Sequence, residues 1–172
     1  NRSSNDSQVY IEQIGNSNTV TVNQEGTKNN YTKYYDSGSY NTVTINQTGN
    51  SSTTANYTDL SLTGDSNTVS VTQQSTGGSK GVFATVQNNN NSLTIQQRDS
   101  GSHYAEINLS GGSKTVDLLQ QGSASHMAKI TLSGQPVGLN LNQSGSTQQF
   151  YSINYTCTTQ GGCSAITVTQ GQ

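Results

Sequence analysis

Apolar and polar residues alternate with a period of two along most of this chain, and the alternating runs recur. The run Asn18-Thr19-Val20-Thr21-Val22-Asn23-Gln24 returns at 41–47 as Asn41, Val43, Ile45 and Gln47, and at 67–73 as Asn67, Val69, Val71 and Gln73. It returns at 91–97 as Asn91, Leu93, Ile95 and Gln97. Looser copies carry Val116, Leu118 and Gln120, then Ile166, Val168 and Gln170. Another copy, shifted in detail, runs from Pro136 through Gly138, Leu139 and Leu141 to Gln143. Successive Gln positions are 23, 26, 24, 23, 23 and 27 residues apart. Alternation predicts strands, and self-similarity at this spacing predicts stacked repeats.

A second strand family lies between these runs. His103-Tyr104-Ala105-Glu106-Ile107-Asn108-Leu109 and His126-Met127-Ala128-Lys129-Ile130-Thr131-Leu132 match at alternate positions, 23 residues apart. Residues 7–13, from Ser7 through Val9 and Ile11 to Gln13, alternate in the same way. Gly, Asn, Ser and Asp separate the runs, which is turn chemistry. The expected fold is therefore all-β: a β-solenoid of about seven stacked strand–turn–strand (β-arch) repeats of about 24 residues, with two facing parallel sheets. It forms one domain over 7–172 behind a polar tail, 1–6. The alternation slips near Thr58-Asp59-Leu60, which predicts a bulge, and the register over 28–62 is the least constrained.

In such a stack each residue sits above its equivalent at about 4.8 Å. Val20, Val43, Val69, Leu93, Val116 and Ile166 then form one inward ladder, and Val22, Ile45, Val71, Ile95, Leu118 and Val168 a second. The Gln residues fall in phase with these aliphatics. A buried amide costs free energy unless it is paired. Stacking lets each amide donate to the next, so Gln13, Gln24, Gln47, Gln73, Gln97, Gln120, Gln143 and Gln170 are expected to form amide ladders.

Composition then makes sense. Of 172 residues, 25 are Ser, 24 Thr, 20 Asn and 18 Gln, while 28% are hydrophobic and 9% charged. That is too little apolar matter for a thick core, but enough for a thin one between two sheets. No apolar run approaches the roughly 20 residues of a membrane span, so membrane insertion is not expected. Seven basic against nine acidic residues, scattered along the chain, make no stripe for nucleic acid. No carboxylate pair, activated nucleophile or phosphate-cradling loop recurs where rungs would bring it together. An enzyme is not expected, and neither is a cofactor or a metal.

The first repeat reads Ser7-x5-Gln13-x-Gly15-x-x-Asn18-x-Val20-x-Val22-x-Gln24. It resembles, position for position, the curlin repeat of curli fibre subunits, S-x5-Q-x-G-x-x-N-x-(A/V)-x3-Q. The second half of the motif fits again at 41–47 and 67–73, and with Leu93 at 91–97. The resemblance implies a secreted subunit that polymerises into a functional-amyloid-like fibre, with Ser7, Gln13, Asn18 and Gln24 facing inward and Gly15 in the arc. Asn41, Asn67 and Asn91 continue the Asn18 position. The chain departs from the motif where Leu109, Leu132 and Tyr155 replace Gln13, and where Lys114 and Ser164 replace Asn18.

Other features qualify this picture. Cys157 and Cys163 bracket five residues in the longest repeat and are expected to form a disulfide, as an oxidising exterior allows. His103 and His126 share a repeat position and should stack; two imidazoles could bind a metal, but no further ligand accompanies them. Outward Thr19/Thr21, Thr42/Thr44, Thr68/Ser70, Ser92/Thr94 and Thr167/Thr169 suggest the flat array of ice-binding solenoids. That array fails at Thr115/Asp117 and Gly138/Asn140, and Thr is in any case a good exposed strand residue. Tyr31, Tyr34, Tyr35, Tyr40 and Tyr57 crowd one region, either as a sticky or sugar-binding surface or as fillers of inward and cross-strand positions.

No capping helix is visible, so uncovered edges are expected to template head-to-tail addition of further copies. With no signal peptide in the sequence, the chain reads as the mature form of a secreted precursor. The functional expectation is a secreted structural subunit of an extracellular matrix, adhesion or biofilm fibre. Its partner is itself, with a nucleator or secretion pore as further candidates. A phage or cell-surface attachment protein that binds a receptor is the first alternative, and an ice-binding solenoid the second.

Overall fold

A computed structural model describes residues 7–26, 30–49, 55–111, 113–134, 138–156 and 166–171. These residues contain strands, bridges and turns and no helix. The strands are β1 (Ser7–Gln8), β2 (Thr19–Gly26), β3 (Asn30–Tyr31), β4 (Thr42–Gly49), β5 (Thr68–Ser75) and β6 (Ser92–Gln97). They continue as β7 (His103–Tyr104), β8 (Thr115–Gln121), β9 (His126–Lys129), β10 (Gly138–Ser144), β11 (Gln149–Ser152) and β12 (Ile166–Gly171).

The long strands stack into one seven-stranded parallel sheet in the order β2-β4-β5-β6-β8-β10-β12. The chain thus makes a β-solenoid of about six turns. The facing sheet is less continuous. It consists of the parallel ladders β1-β3 and β7-β9-β11, joined by the single bridges Asn30↔Asn56, Asn56↔Lys80 and Lys80↔His103.

The core is the thin layer between the sheets. Val43, Ile45, Val69, Val71, Leu93, Ile95, Val116 and Leu118 are buried from one side, meeting Leu60, Leu62, Val82, Ala84, Val86, Ala105, Ile107, Leu109, Ala128, Ile130 and Leu132 from the other. Leu139 and Leu141 join the two inward ladders, since they pair with Val116 and Leu118 on one side and with Ile166 and Val168 on the other. Val20, Val22, Ile166 and Val168 are only partly buried, because they lie in the outermost described rungs.

The slip expected at Thr58-Asp59-Leu60 is not a local bulge. Thr58, Leu60 and Leu62 stay buried in phase. The backbone turns to positive φ at Asp59, Leu60 and Ser61, and it does so again at Ala84 and Thr85 and at Ile107, Asn108 and Leu109. Because Leu60 bridges Ala84 and Ala84 bridges Ile107, this conformation is shared by successive rungs.

The arc before each long strand has its own rule. Ser17, Tyr40, Ser66, Asn90 and Ser113 all adopt left-handed φ near 57–60°, each one residue before the ladder position Asn18, Asn41, Asn67, Asn91 or Lys114. Gly15 and Gly38 sit where arcs touch: a Cβ on Gly15 would lie 1.7 Å from the Gly38 carbonyl oxygen, and one on Gly38 1.7 Å from that of Gly64.

Candidate functional site

The groups that repeat along the stack are the groups that can act. Foremost is the Gln ladder. Each Gln donates its side-chain N–H to the side-chain oxygen of the next: Gln24 to Gln47 (2.9 Å), Gln47 to Gln73 (2.9 Å), Gln73 to Gln97 (3.0 Å), Gln97 to Gln120 (2.8 Å), Gln120 to Gln143 (2.8 Å) and Gln143 to Gln170 (3.4 Å). The second amide hydrogen crosses the core to a carbonyl of the facing sheet. Gln47 reaches Tyr31, Gln73 reaches Tyr57, Gln120 reaches Tyr104 and Gln143 reaches Met127. Both donors of these four amides are thus satisfied, which removes the penalty of burying them. The ladder also fixes the distance between the sheets.

Gln13 is not part of this ladder. It lies on the other face, six residues after Ser7 as Asp36 lies six after Asn30, and Ser7 pairs with Asn30. It heads the column of Asp36, Leu62, Val86, Leu109, Leu132 and Tyr155, and is itself exposed. The amide–amide donation of the Gln ladder has no counterpart there, because the positions that follow are a carboxylate and then aliphatics.

The Asn positions form a second ladder in the arc. The side-chain oxygens of Asn18, Asn41 and Asn67 accept the backbone N–H of Asn41, Asn67 and Asn91. The amide groups of Asn18 and Asn41 donate to the carbonyls of Gly38 and Gly64. Each Asn therefore ties one arc to the next. In the second turn a buried polar cluster supports this ladder. Asp36 accepts from Tyr34 Oη (2.6 Å), from the backbone N–H of Ser37 and Gly38 (both 2.7 Å), and from Asn41 Nδ2 (3.0 Å). Burial, reinforced by the Asp36 carboxylate, pushes the Tyr34 hydroxyl pKa well above its ordinary value.

At the opposite arc, Ser7, Asn30, Asn56, Lys80, His103, His126 and Gln149 form one column. The His103 and His126 rings stack at 5.1 Å with an interplanar angle of 0°. His103 Nε2 lies 2.8 Å from the Arg98 carbonyl, and His126 Nε2 lies 2.9 Å from that of Gln121. A carbonyl only accepts, so each Nε2 carries the proton, and each Nδ1 is a buried acceptor without a partner. Parallel rings aim these lone pairs side by side, so they do not converge on one ion. Burial lowers the His103 pKa to about 4, with the Lys80 charge adding to the effect, and it lowers that of His126. Lys80 donates to the carbonyls of Gly78 (3.0 Å), Asp99 (3.0 Å) and Gly101. Burial brings its pKa down to about 8.

Outward positions of the same face carry aromatic residues. Tyr31 and Tyr57 stack at 5.2 Å, nearly parallel, and Tyr104, Met127 and Phe150 follow in the column, with Tyr104 paired to Met127 and Met127 to Phe150. The crowded tyrosines therefore divide: Tyr34 is core, Tyr31 and Tyr57 are surface, and Tyr40 stands exposed in an arc. On the long sheet, Thr21, Thr44, Ser70 and Thr94 share a column that continues as Asp117, Asn140 and Thr167. Thr169 belongs to the column of Asn142, not to that of Thr21. Cys157 and Cys163 lie outside the described residues. Among the described residues, no group of three or more His, Cys, Asp or Glu could hold a metal ion.

No family model, curated protein or solved structure matches this chain at a significant level.

Proposed function

We propose that this chain is a structural, non-enzymatic subunit that stacks with further copies of itself, rung on rung, into an extracellular fibre of the curli kind. The observation that carries the reading is the Gln ladder, whose hydrogen bonds all run in one sense from Gln24 to Gln170. A ladder with an acceptor oxygen at one end and an amide N–H at the other is complementary to itself end to end. Such a heterologous contact does not close on itself, so it builds filaments. The outer described rungs fit the same contact. Val9 and Ile11 are 48% and 41% exposed at one end, and Tyr151, Ile153, Ile166 and Val168 are only half-buried at the other. The curlin-like motif of residues 7–24 supports the secreted, matrix-forming setting.

Electron microscopy with fibre diffraction tests the proposal. Filaments with a repeat near 4.8 Å along their axis are expected. A chain that stays a monodisperse monomer at high concentration refutes it.

A further inference from the structure

The two sheets present unlike faces to solvent. Outward positions of the long sheet are mostly Thr, Ser, Asn and Gln, and among the described residues no large apolar side chain is exposed there. The opposite face differs. Tyr57, Phe83, Tyr104, Met127 and Phe150 project from it, each 38–62% exposed. Tyr31, Tyr57, Tyr104, Met127 and Phe150 share one column. Where that column has Gly81, the same rung supplies Phe83 two residues on. The Tyr104 ring lies over Gly81, 3.1 Å from where a Cβ would stand, so the apolar stripe has no gap. A groove of about 390 Å³ beside it, between Ala55 and Gln148, is lined almost wholly by apolar atoms and widens the strip.

What covers the stripe must match it in period, charge and area. Its apolar groups recur at the rung spacing, about 4.8 Å, which a second solenoid reproduces and a globular partner does not. Charge does not oppose a second copy. The neighbouring outward column holds Lys33, Asp59, Phe83, Glu106 and Lys129 in successive rungs. Lys33 pairs with Asp59 at 3.8 Å and Lys129 with Glu106 at 3.2 Å, so Phe83 stands between two neutral pairs. Among the described residues, Glu12 in the first rung is the one other charge in an outward position of this sheet. Segments such as 30–36, seven residues long, and seven rungs make a face of roughly 20 by 30 Å. Two such faces bury roughly 1,200 Å² together, the lower edge of a stable specific interface. A pair of single subunits is therefore weakly held, while stacked subunits add their contacts along the common axis.

We infer that this face is a lateral interface for a second copy of the chain. Two solenoids lie face to face through Tyr31, Tyr57, Phe83, Tyr104, Met127 and Phe150, with their polar long sheets outward. Because only one face of each solenoid is apolar, association stops at two. The inference rests on the rung-on-rung filament for its full strength, but a soluble pair needs the stripe alone.

Mass per unit length, from scanning transmission electron microscopy of unstained filaments, counts the solenoids. A chain of 18.2 kDa that rises about 34 Å over its rungs gives about 0.5 kDa per Å for a single stack, and twice that value is expected. Phe83→Lys puts a charge at the centre of the face and should halve the value, while the repeat near 4.8 Å persists. Thr94→Lys, on the outer face of the long sheet, should leave it doubled. Parent filaments with single-stack mass, or no change on Phe83→Lys, overturn the inference and leave the stacking proposal standing. Halving by Thr94→Lys also overturns it, since the contact would then lie on the other sheet. Single filaments that take up phosphatidylcholine vesicles in a Phe83-dependent way would assign the face to lipid and overturn it as well. If no filaments form, stacking fails by itself, and sedimentation equilibrium of the soluble chain at about 1 mM decides the pairing. A dimer that Phe83→Lys converts to monomer upholds the interface; a parent monomer, or a dimer that the substitution leaves intact, sinks it.

Discussion

Replacing Gln97 by Leu separates the two ways of regarding a buried amide, as a cost or as a fastener. Gln97 is fully buried, accepts from Gln73 (3.0 Å) and donates to Gln120 (2.8 Å). Leucine leaves Gln73 with one hydrogen lacking an acceptor, although its other hydrogen still reaches the Tyr57 carbonyl. It leaves the Gln120 oxygen without the donor that served it. Each buried group stranded in this way costs about 1–3 kcal/mol. Leucine recovers roughly 1–2 kcal/mol by burying apolar atoms in place of the amide. The net destabilisation is about 3 kcal/mol, close to 100-fold in the folding equilibrium at about 1.4 kcal/mol per decade.

Gln24→Leu is the matched control. Gln24 is only partly buried, and the Gln47 oxygen that loses its donation keeps the hydroxyl hydrogen of Thr32 at 2.9 Å. Its cost should be below about 1 kcal/mol, within the range of a modest, partly exposed hydrogen bond. Urea denaturation of the soluble chain, with circular dichroism as the signal, measures both. If Gln97→Leu were neutral or stabilising, or if the two variants cost the same, the amides would be passengers in an aliphatic core.

Three further outcomes are expected. Stability should fall as pH drops from 6.5 toward 4, because the buried His103 has its pKa lowered from 6.5 to about 4; the unfolded chain takes up the proton first, so His103 alone accounts for up to about 3 kcal/mol, and His103→Gln should flatten this part of a denaturation-against-pH profile. Gly38→Ala should prevent native folding, as judged by the loss of the cooperative thermal transition, since its Cβ would lie 1.7 Å from the Gly64 carbonyl oxygen, a backbone atom that cannot step aside. Ser66→Gly should stabilise the fold slightly, by about 0.5 kcal/mol, and so raise the urea midpoint, because a left-handed φ of 57° costs a non-glycine residue roughly 1–2 kcal/mol and glycine's extra entropy cancels only part of that gain.

The parts of the fold that the sequence discloses are those a period can carry. The recurrence of Val20, Val22 and Gln24 places both aliphatic ladders and the Gln ladder, because parallel in-register stacking turns sequence spacing directly into spatial neighbours. The second hydrogen bond of Gln47, Gln73, Gln120 and Gln143 was not legible, since it depends on how far apart the facing sheets stand. Leu139 and Leu141 were obscured by the shifted motif at 136–143, yet registration on Val116 and Leu118 places them in the ladders. The recurrent left-handed residue is hidden for another reason: of Ser17, Tyr40, Ser66, Asn90 and Ser113, only Asn90 is of a type that favours that conformation.

The drift of later rungs toward aliphatic residues follows from which neighbours each column must serve. In the second and third turns, the Thr32 and Thr58 hydroxyls donate to the Gln47 and Gln73 oxygens. The same column continues as Val82, Ala105 and Ala128, all buried, which have nothing to donate. Asp36, held by four donors, gives way along its column to Leu62, Val86, Leu109 and Leu132, also buried. The change occurs in both columns within about one turn, so each rung remains matched to its neighbours while distant rungs are not matched to one another. All four donors to Asp36 come from its own turn, so they travel with it in a slip by one rung. The bonds that a slip breaks are those between turns. Gln24 and Gln47 donate to the Thr32 and Thr58 hydroxyls of the turn that follows, and laying Gln47 against Val82 or Ala105 removes that acceptor at a cost of roughly 1 kcal/mol. A slip between two purely aliphatic rungs loses nothing of this kind, so the threonines of the second and third turns bias the register of a sequence whose repetition would otherwise permit many near-equivalent stacks. The aliphatic rungs add cohesion that any rung could share.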